Sequence, residues 1–367
     1  MIEVTDPVLD TELSIFSGIE ELNHEQVVFC HDKELGLKAI VAIHNTVLGP
    51  AMGGTRMWHY NDDQEALTDA LRLSRGMTLK NSIAGLNIGG GKAVIIGDSG
   101  KLKNEAFMRR FGKFIDSLGG KYWTAEDVNM TTRDMEYIHM ETPFVAGLPE
   151  FMGGSGNPSP VTAYGVYMGM KACAKKAFGS ESLEGKKVMV QGAGHVGTFL
   201  IEYLAKEKAT VFVSDISEEK LNNVRTNFGA TVIPMEDVYG IEVDIYSPCA
   251  LGASLNDDTI PQLKCAVVAG GANNQLLDEA KHGRMLLDKG IVYGPDFLIN
   301  GGGITNVYYE YLGNYNRSQV MTQTERIYDT TLEVIDHAYK CGITPQAAAI
   351  DIAEKRIAAI GKNKLPL

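Results

Sequence analysis

Lys80 closes the stretch "SRGMTLKN", and Lys92 follows three glycines in "GLNIGGGKAVIIGD", twelve residues further on, with a turn-rich segment between them. Lysine is a poor occupant of the edge of an apolar strand, because a buried ammonium needs a partner or gives up its proton. Two ammonium groups near one another each disfavour the other's charged form. One lysine of such a pair can then act as a neutral general base while the other stays charged and holds a carboxylate. Asp127, in "TAEDV", offers a carboxylate to relay a proton or to pair with a lysine. Residue type and spacing alone leave open the plainer reading that all three are ordinary solvated side chains.

A second constellation follows the strand-like run "KKVMVQ". Gly192-Ala193-Gly194-His195-Val196-Gly197 is a G-x-G-x-x-G opening a helix. Glycines at those three positions permit a tight turn, close approach of backbone to a pyrophosphate, and close helix packing, with the phosphate charge at the helix N-terminus. The next strand, "ATVFVSD", ends at Asp215, placed to accept from ribose hydroxyls. Its carboxylate would repel the extra phosphate of NADP, and Glu218 and Glu219 follow before any base, so NAD is the cofactor favoured. His195 reads as a wall residue of the loop. A glycine-rich turn in an unrelated sheet, with Asp215 as a cap, is the bland alternative.

Elements must hold these groups in place. "EQVVFCHD" and "LKAIVAIHNTVLG" read as strands, "NDDQEALTDALRLSRGM" as a helix, and "AVIIG" as a strand beginning just after Lys92. Helices are predicted at "KNEAFMRRFGKFIDSL" and near "TTRDMEYIHM". The Gly, Pro and Ser cluster "GLPEFMGGSGNPSP" marks a domain boundary. Beyond it, "KKVMVQG", "ATVFVSD", "VDIYSP", "CAVVAGG" and "GIVYGP" alternate with helical patterns, the signature of a parallel, doubly wound sheet. The expected fold class is α/β in two domains: residues 1–147 a mixed α/β substrate and oligomerisation domain, and 148–330 a Rossmann-type dinucleotide-binding domain. Closing helices in 331–367 are expected to pack back on the first domain.

Composition narrows the partners. A formal net charge of −12 argues against a nucleic-acid binder, and 44% hydrophobic with 22% charged residues is ordinary for a globular enzyme. No basic n-region with a following apolar stretch begins the sequence, and no apolar run has membrane-spanning length, so a cytoplasmic location without membrane association is expected. Five scattered cysteines suggest neither disulfides nor zinc, and the eight histidines lack metal-ligand spacing, so no metal is expected.

Nine motifs in order, "GGTRMW", "RGMTLKN", "GLNIGGGK", "TAEDV", "GNPSPVTAYGV", "GAGHVG", "PCALG", "GGANNQ" and "INGGGITNV", resemble those of the glutamate, leucine, phenylalanine and valine dehydrogenase family. The resemblance implies NAD-dependent, reversible oxidative deamination of branched-chain L-amino acids, leucine foremost, to 2-oxo acids and ammonia. It implies that Lys80 and the backbone around Gly53 and Gly54 bind the substrate carboxylate, that Lys92 is the general base, and that Asp127 shuttles protons. Met52, Ala125, Ile304 and Val307 would line the side-chain pocket, with Asn274 near the substrate amino group. Thr162 would hold the nicotinamide carboxamide, and Asn273 joins the fingerprint residues on the cofactor. A homo-oligomer, octameric by resemblance, is implied, with the strand "EQVVFCHD" available for pairing across a two-fold axis.

Two departures stand out: Ser99 follows Asp98 where relatives often carry proline, and "NVYYEY" replaces an "NVADE" type of ending. The alternatives are a phenylalanine or valine dehydrogenase of the same family, or a non-catalytic dinucleotide-binding protein. The joint presence of Lys80, Lys92 and Asp127 speaks against the last.

Overall fold

The computed structural model describes residues 15–250, 252–313 and 315–362. The acidic N-terminal stretch through residue 14 and Leu251 of "PCALG" lie outside the described residues. The chain divides into two compact units. The N-terminal unit runs through Asn157 and includes Val307–Tyr315 and the residues from Ala353 on; the C-terminal unit comprises Pro158–Asn306 and Asn316–Ile352. The division falls after 157, where the sequence reading placed it after 147. The expectation that 331–367 returns to the first domain is corrected: residues through Ile352 go with the C-terminal unit, and only those from Ala353 return.

The N-terminal unit opens with helix α1 (Ile15–Leu22), strands β1 (Gln26–Asp32), β2 (Leu37–Asn45), β3 (Ala51–Met52) and β4 (Thr55–Trp58), helix α2 (Asp63–Ile83) and strand β5 (Gly89–Ile96). It continues through α3 (Ser99–Leu102), α4 (Glu105–Asp116), β6 (Tyr122–Trp123) and α5 (Thr132–His139). The sheet order is β1-β2-β5-β3-β6, with β4 also paired to β5. β1, β2 and β5 are antiparallel, whereas β3 and β4 run parallel to β5. Helix α2 starts where Asp62 accepts from the Glu65 N–H and carries Asp63 and Glu65 in its first turn, both favourable at a helix N-terminus. On one face Phe107, Phe111, Ile115 and Tyr122 pack under the sheet with Val41 and Ile95; on the other, Leu67, Ala70 and Leu71 of α2 meet Ile40 and Val94.

The C-terminal unit begins with α6 (Ser159–Phe178), then β7 (Lys187–Gln191), α7 (His195–Lys206), β8 (Thr210–Ser214), α8 (Glu218–Phe228), β9 (Thr231–Val232), β10 (Ile245–Pro248) and β11 (Val267–Val268). It continues through α9 (Glu279–Asp288), β12 (Val292–Tyr293), α10 (Asp296–Ile299), α11 (Gly302–Tyr311), α12 (Arg317–Glu325), α13 (Ile327–Cys341) and α14 (Pro345–Gly361). The chain passes between units within α11 and α14. Strand order is β12-β11-β10-β7-β8-β9, every pair parallel. Counted within the unit, this is 3-2-1-4-5-6, the doubly wound arrangement, with its order reversing between β7 and β10. No helix among the described residues is long and apolar enough to cross a membrane. All five cysteines are free thiols.

Candidate active site

Lys92 lies inside β5, not ahead of it: the strand begins at Gly89 and runs through the glycines. The register pairs Lys92 with Ala42 of β2. The glycines answer to packing. A Cβ on Gly90 would come within 2.1 Å of the Thr78 backbone nitrogen, and one on Gly91 within 2.8 Å of the Tyr122 ring. Helix α2 therefore lies directly on β5, which a side chain at Gly90 would forbid. Lys92 itself is only 5% exposed.

Its partner is Asp127. Lys92 Nζ donates to Asp127 Oδ2 at 2.7 Å. Arg56 Nε donates to the same oxygen at 3.1 Å. Burial by itself would raise the Asp127 carboxyl, but Lys92 and Arg56 outweigh it and hold the group below its ordinary value. The carboxylate is thus charged and doubly paired at neutral pH.

Gly53 and Gly54 let the backbone approach this pair. A Cβ on Gly53 would fall 1.8 Å from the Gly91 carbonyl oxygen, and one on Gly54 would fall 2.4 Å from the Glu126 carbonyl oxygen and 3.0 Å from Asp127 Cβ. Met52, in β3, is wholly buried and pairs in register with Gly90 and Trp123; Ala125 is also buried, and its carbonyl accepts from the Thr55 N–H at 2.8 Å. Lys80 stands half-buried in the last turn of α2. The next residue, Asn81, ties that turn to the sheet, donating from Nδ2 to Gly89 O at 2.6 Å. Val307 is buried in the same unit.

Sequence reasoning missed four residues here. Arg56 Nη1 reaches both oxygens of Asp69, at 3.0 and 3.3 Å, and Tyr60 donates to Asp69 Oδ2 at 2.6 Å. Arg56 was visible within "GGTRMW", but nothing in the pattern announced its partners. Glu310 was also missed. Its carboxylate accepts the backbone N–H groups of Gly147 and Leu148 at 3.0 Å and of Ser155 at 2.9 Å.

In the C-terminal unit the fingerprint forms the turn from β7 into α7. Gly192 has φ +107, which favours glycine, and a Cβ there would press to 2.9 Å on the backbone of Cys249 and Ala250. A Cβ on Gly197 would lie 2.0 Å from Gly192 O. Gly194 differs: a Cβ there would meet nothing within 4 Å. Packing within the protein does not require that glycine, whereas a pyrophosphate lying on the helix N-terminus does. His195 opens α7 and is exposed, and Val196 is half-buried. Asp215 closes the turn, accepting from Ala193 N at 2.7 Å and from Ser217 N at 2.8 Å.

Asn273 and Asn274 are both exposed; Asn273 Oδ1 accepts from Asn300 Nδ2 at 2.7 Å, and Asn274 takes the left-handed backbone (φ +51). Thr162, in the first turn of α6, donates to Pro158 O at 3.1 Å. The glycines ahead of Ile304 let α11 start against α6: a Cβ on Gly302 would fall 2.1 Å from Val161 O, and one on Gly303 2.6 Å from Thr162 Oγ1. Ile304 is half-buried in the first turn of α11. Each unit therefore gathers its own candidates, the lysine-carboxylate set in the first and the dinucleotide set in the second.

Family models match stretches of both units. Residues 24–144 match the family model described as Glu/Leu/Phe/Val dehydrogenase, dimerisation domain, and 153–219 with 213–363 match that of Glutamate/Leucine/Phenylalanine/Valine dehydrogenase. The chain is 55% identical to a leucine dehydrogenase of Thermoactinomyces intermedius over 352 residues, 96% of each chain. It is 53% identical to one of Bacillus cereus over the same shares. The crystal structure of L-tryptophan dehydrogenase from Nostoc punctiforme superposes with a TM-score of 0.84 at 45% identity, covering 95% of this chain and 99% of that one.

Proposed function

The chain belongs to the glutamate, leucine, phenylalanine and valine dehydrogenase family, and on that premise we propose that it is a leucine-type, NAD-dependent amino-acid dehydrogenase. It catalyses the reversible oxidative deamination of branched-chain L-amino acids to 2-oxo acids and ammonia. The observation that carries the chemistry is the ion pair of buried Lys92 with half-buried Asp127, beside the bare backbone of Gly53 and Gly54.

The residues of the β7–α7 turn suit a dinucleotide, since Gly194 leaves open space where a side chain would stand and the N-terminus of α7 favours phosphate charge. Gly192, Gly194, His195, Val196 and Gly197 would hold the pyrophosphate, Asp215 the adenosine ribose, and Thr162 and Asn273 the nicotinamide end. When bound, the dinucleotide accepts a hydride from the substrate α-carbon.

The chain's own residues do the rest. Lys80 and the Gly53–Gly54 backbone bind the substrate carboxylate, and Asn274 orients the amino group. Lys92 takes a proton from the substrate ammonium, so that loss of hydride leaves an imine. Having released that proton to solvent by way of Asp127, it takes one from the water that attacks the imine carbon, giving the carbinolamine. Asp127, in contact with Lys92 Nζ, passes protons to the departing nitrogen of the carbinolamine, which collapses to 2-oxo acid and ammonia. Met52, Ala125, Ile304 and Val307 supply apolar walls.

The same reading makes the protein a cytoplasmic homo-octamer; its self-association is supported by the dimerisation-domain match and by β1, which among the described residues pairs only with β2. The test is nicotinamide absorbance on mixing the purified chain with NAD and a panel of amino acids. Reduction with leucine, valine and isoleucine is expected; none with any of them overturns the reading. Light scattering on the eluted protein settles the subunit number.

A further inference from the structure

Asp127 is gripped on one oxygen by two cations, and only one of them belongs to the chemistry just described. Lys92 approaches Oδ2 from β5 and Arg56 from β4. The backbone of β4 holds the segment around Asp127 on both sides of Arg56: Thr55 N donates to Ala125 O at 2.8 Å and Met57 N to Val128 O at 3.1 Å. Asn129 adds Nδ2 to Met57 O at 3.0 Å. The path of residues 125–129 is therefore set by main-chain bonds that do not involve the Arg56 side chain.

What the guanidinium adds is control of the carboxylate. Its fork is used twice, Nε on Asp127 and Nη1 on both oxygens of Asp69. Asp69 is in turn fixed by the hydroxyl of buried Tyr60. A planar, permanently charged fork locked from behind cannot swing away from Asp127 as a lone flexible ammonium could.

We propose that Arg56 is a positioning residue for the Asp127 carboxylate, aiming it at Lys92 and keeping it ionised, with Asp69 and Tyr60 as its anchor. The inference rests on the amino-acid dehydrogenase reading above. Arg56 does not reach the reacting atoms in this account; it acts through Asp127. The titratable groups that face Asp127 are Lys92 from β5, Arg56 from β4, Tyr60 just beyond β4, and Tyr122 from β6. Of these only the two cations favour the ionised carboxylate, so removing one leaves burial less opposed and lets the group protonate at a higher pH.

The experiment is steady-state oxidation of leucine by the full chain and by Arg56→Gln and Arg56→Lys, across a pH series, with NADH fluorescence counting folded sites. For Arg56→Gln we expect kcat per site to fall on the order of 100-fold, with the leucine KM changed less than about twofold. The acid limb of kcat/KM should move to higher pH. Arg56→Lys restores the charge without the fork, so the acid limb should return while most of the kcat loss stays. A wild-type kcat and pH profile in Arg56→Gln overturns the proposal. So does a loss of folded sites with normal kcat in those that remain. If Arg56→Gln yields no folded protein, Arg56→Lys decides: lowered kcat with an unmoved acid limb supports the assignment, and full activity overturns it. An unmodified chain inactive on every amino acid would instead sink the dehydrogenase reading itself.

Discussion

Ala193 donates its backbone N–H to Asp215 Oδ2 at 2.7 Å, tying the carboxylate at the end of β8 to the glycine-rich turn that ends β7. Asp215 has therefore two tasks, shaping the loop and, in the proposed function, accepting ribose hydroxyls. Replacing it by alanine removes an acceptor and a repulsive charge together. We expect NAD to bind about tenfold or more weakly and the NAD-over-NADP ratio of kcat/KM to fall. Fluorescence titration with both reduced cofactors checks this. An unchanged ratio would detach Asp215 from cofactor choice.

Lys92 and Lys80 should separate kinetically. In the proposed function Lys92→Ala removes the base and leaves the C-terminal unit intact, so kcat should drop on the order of thousands-fold while NADH binding survives. Lys80→Ala should fall more heavily on the amino-acid KM, because a carboxylate anchor also binds the ground state. Near-normal turnover in the first, or an unchanged KM in the second, would refute that assignment.

Much of this site was legible, and the remainder shows what a linear pattern omits. The parallel sheet of the C-terminal unit was read almost strand by strand, because short apolar runs alternate there with capped helices, as at Ser217 and Gly229 around α8. The β5 boundary was misplaced because glycine and lysine are poor strand formers, whereas here the glycines answer to α2 and Tyr122 lying against the strand. Strands β3 and β4 were missed as too short to show periodicity; they exist through parallel pairing with β5. Arg56 meets Asp127 across 71 positions and Glu310 meets Gly147 across 163, separations that carry no local signal.

Glu310 yields its own prediction. Its carboxylate satisfies three backbone N–H groups in the 147–155 segment, all within the N-terminal unit. Glutamine there would turn an amide toward one of those donors. Leaving part-buried N–H groups unpaired costs about 1 to 3 kcal/mol each. Limited proteolysis within 147–156 should accelerate in Glu310→Gln, with NADH affinity unchanged. Cleavage at the wild-type rate would show that the clamp is dispensable.

Acid should loosen the N-terminal unit through two histidines. His24 and His44 meet edge to face, 4.8 Å between ring centroids, and hydrogen-bond Ser74 and Thr78 of α2. Burial, then the neighbouring His44, holds His24 down at about 3; burial, with Arg75, holds His44 at about 4. Both native values lie below the unfolded value of about 6.5, so the unfolded state gains protons first as pH falls. Their contribution is complete above about pH 6.5 and is lost progressively down to about 4 for His44 and 3 for His24. Each adds a slope of at most about 1.4 kcal/mol per pH unit. Urea midpoints measured from neutral pH to about 4.5 should fall, and less steeply in a His24→Gln, His44→Gln double variant. Parallel curves would acquit the pair.

In the proposed function, substrate choice turns on Met52. It stands immediately before Gly53 and Gly54, where by resemblance the glutamate-using relatives carry a lysine that meets the substrate's side-chain carboxylate. Here the residue is wholly buried between β5 and β6 and offers no donor. A glutamate side chain placed against it would carry an unpaired buried charge, costing on the order of several kcal/mol. Leucine, valine and isoleucine lose nothing of the kind. Phenylalanine is opposed by size alone, and a methylene-scale misfit is worth only about 1 to 3 kcal/mol. The buried, β-branched Val307, in the same unit as Met52, is expected to deny the ring its depth. Comparing kcat/KM for leucine, valine, phenylalanine and glutamate decides between these outcomes. We expect leucine to exceed phenylalanine by at least about tenfold and glutamate by far more. A preference for glutamate would remove Met52 from the pocket, and a preference for phenylalanine would keep the apolar pocket but show that Val307 does not limit it.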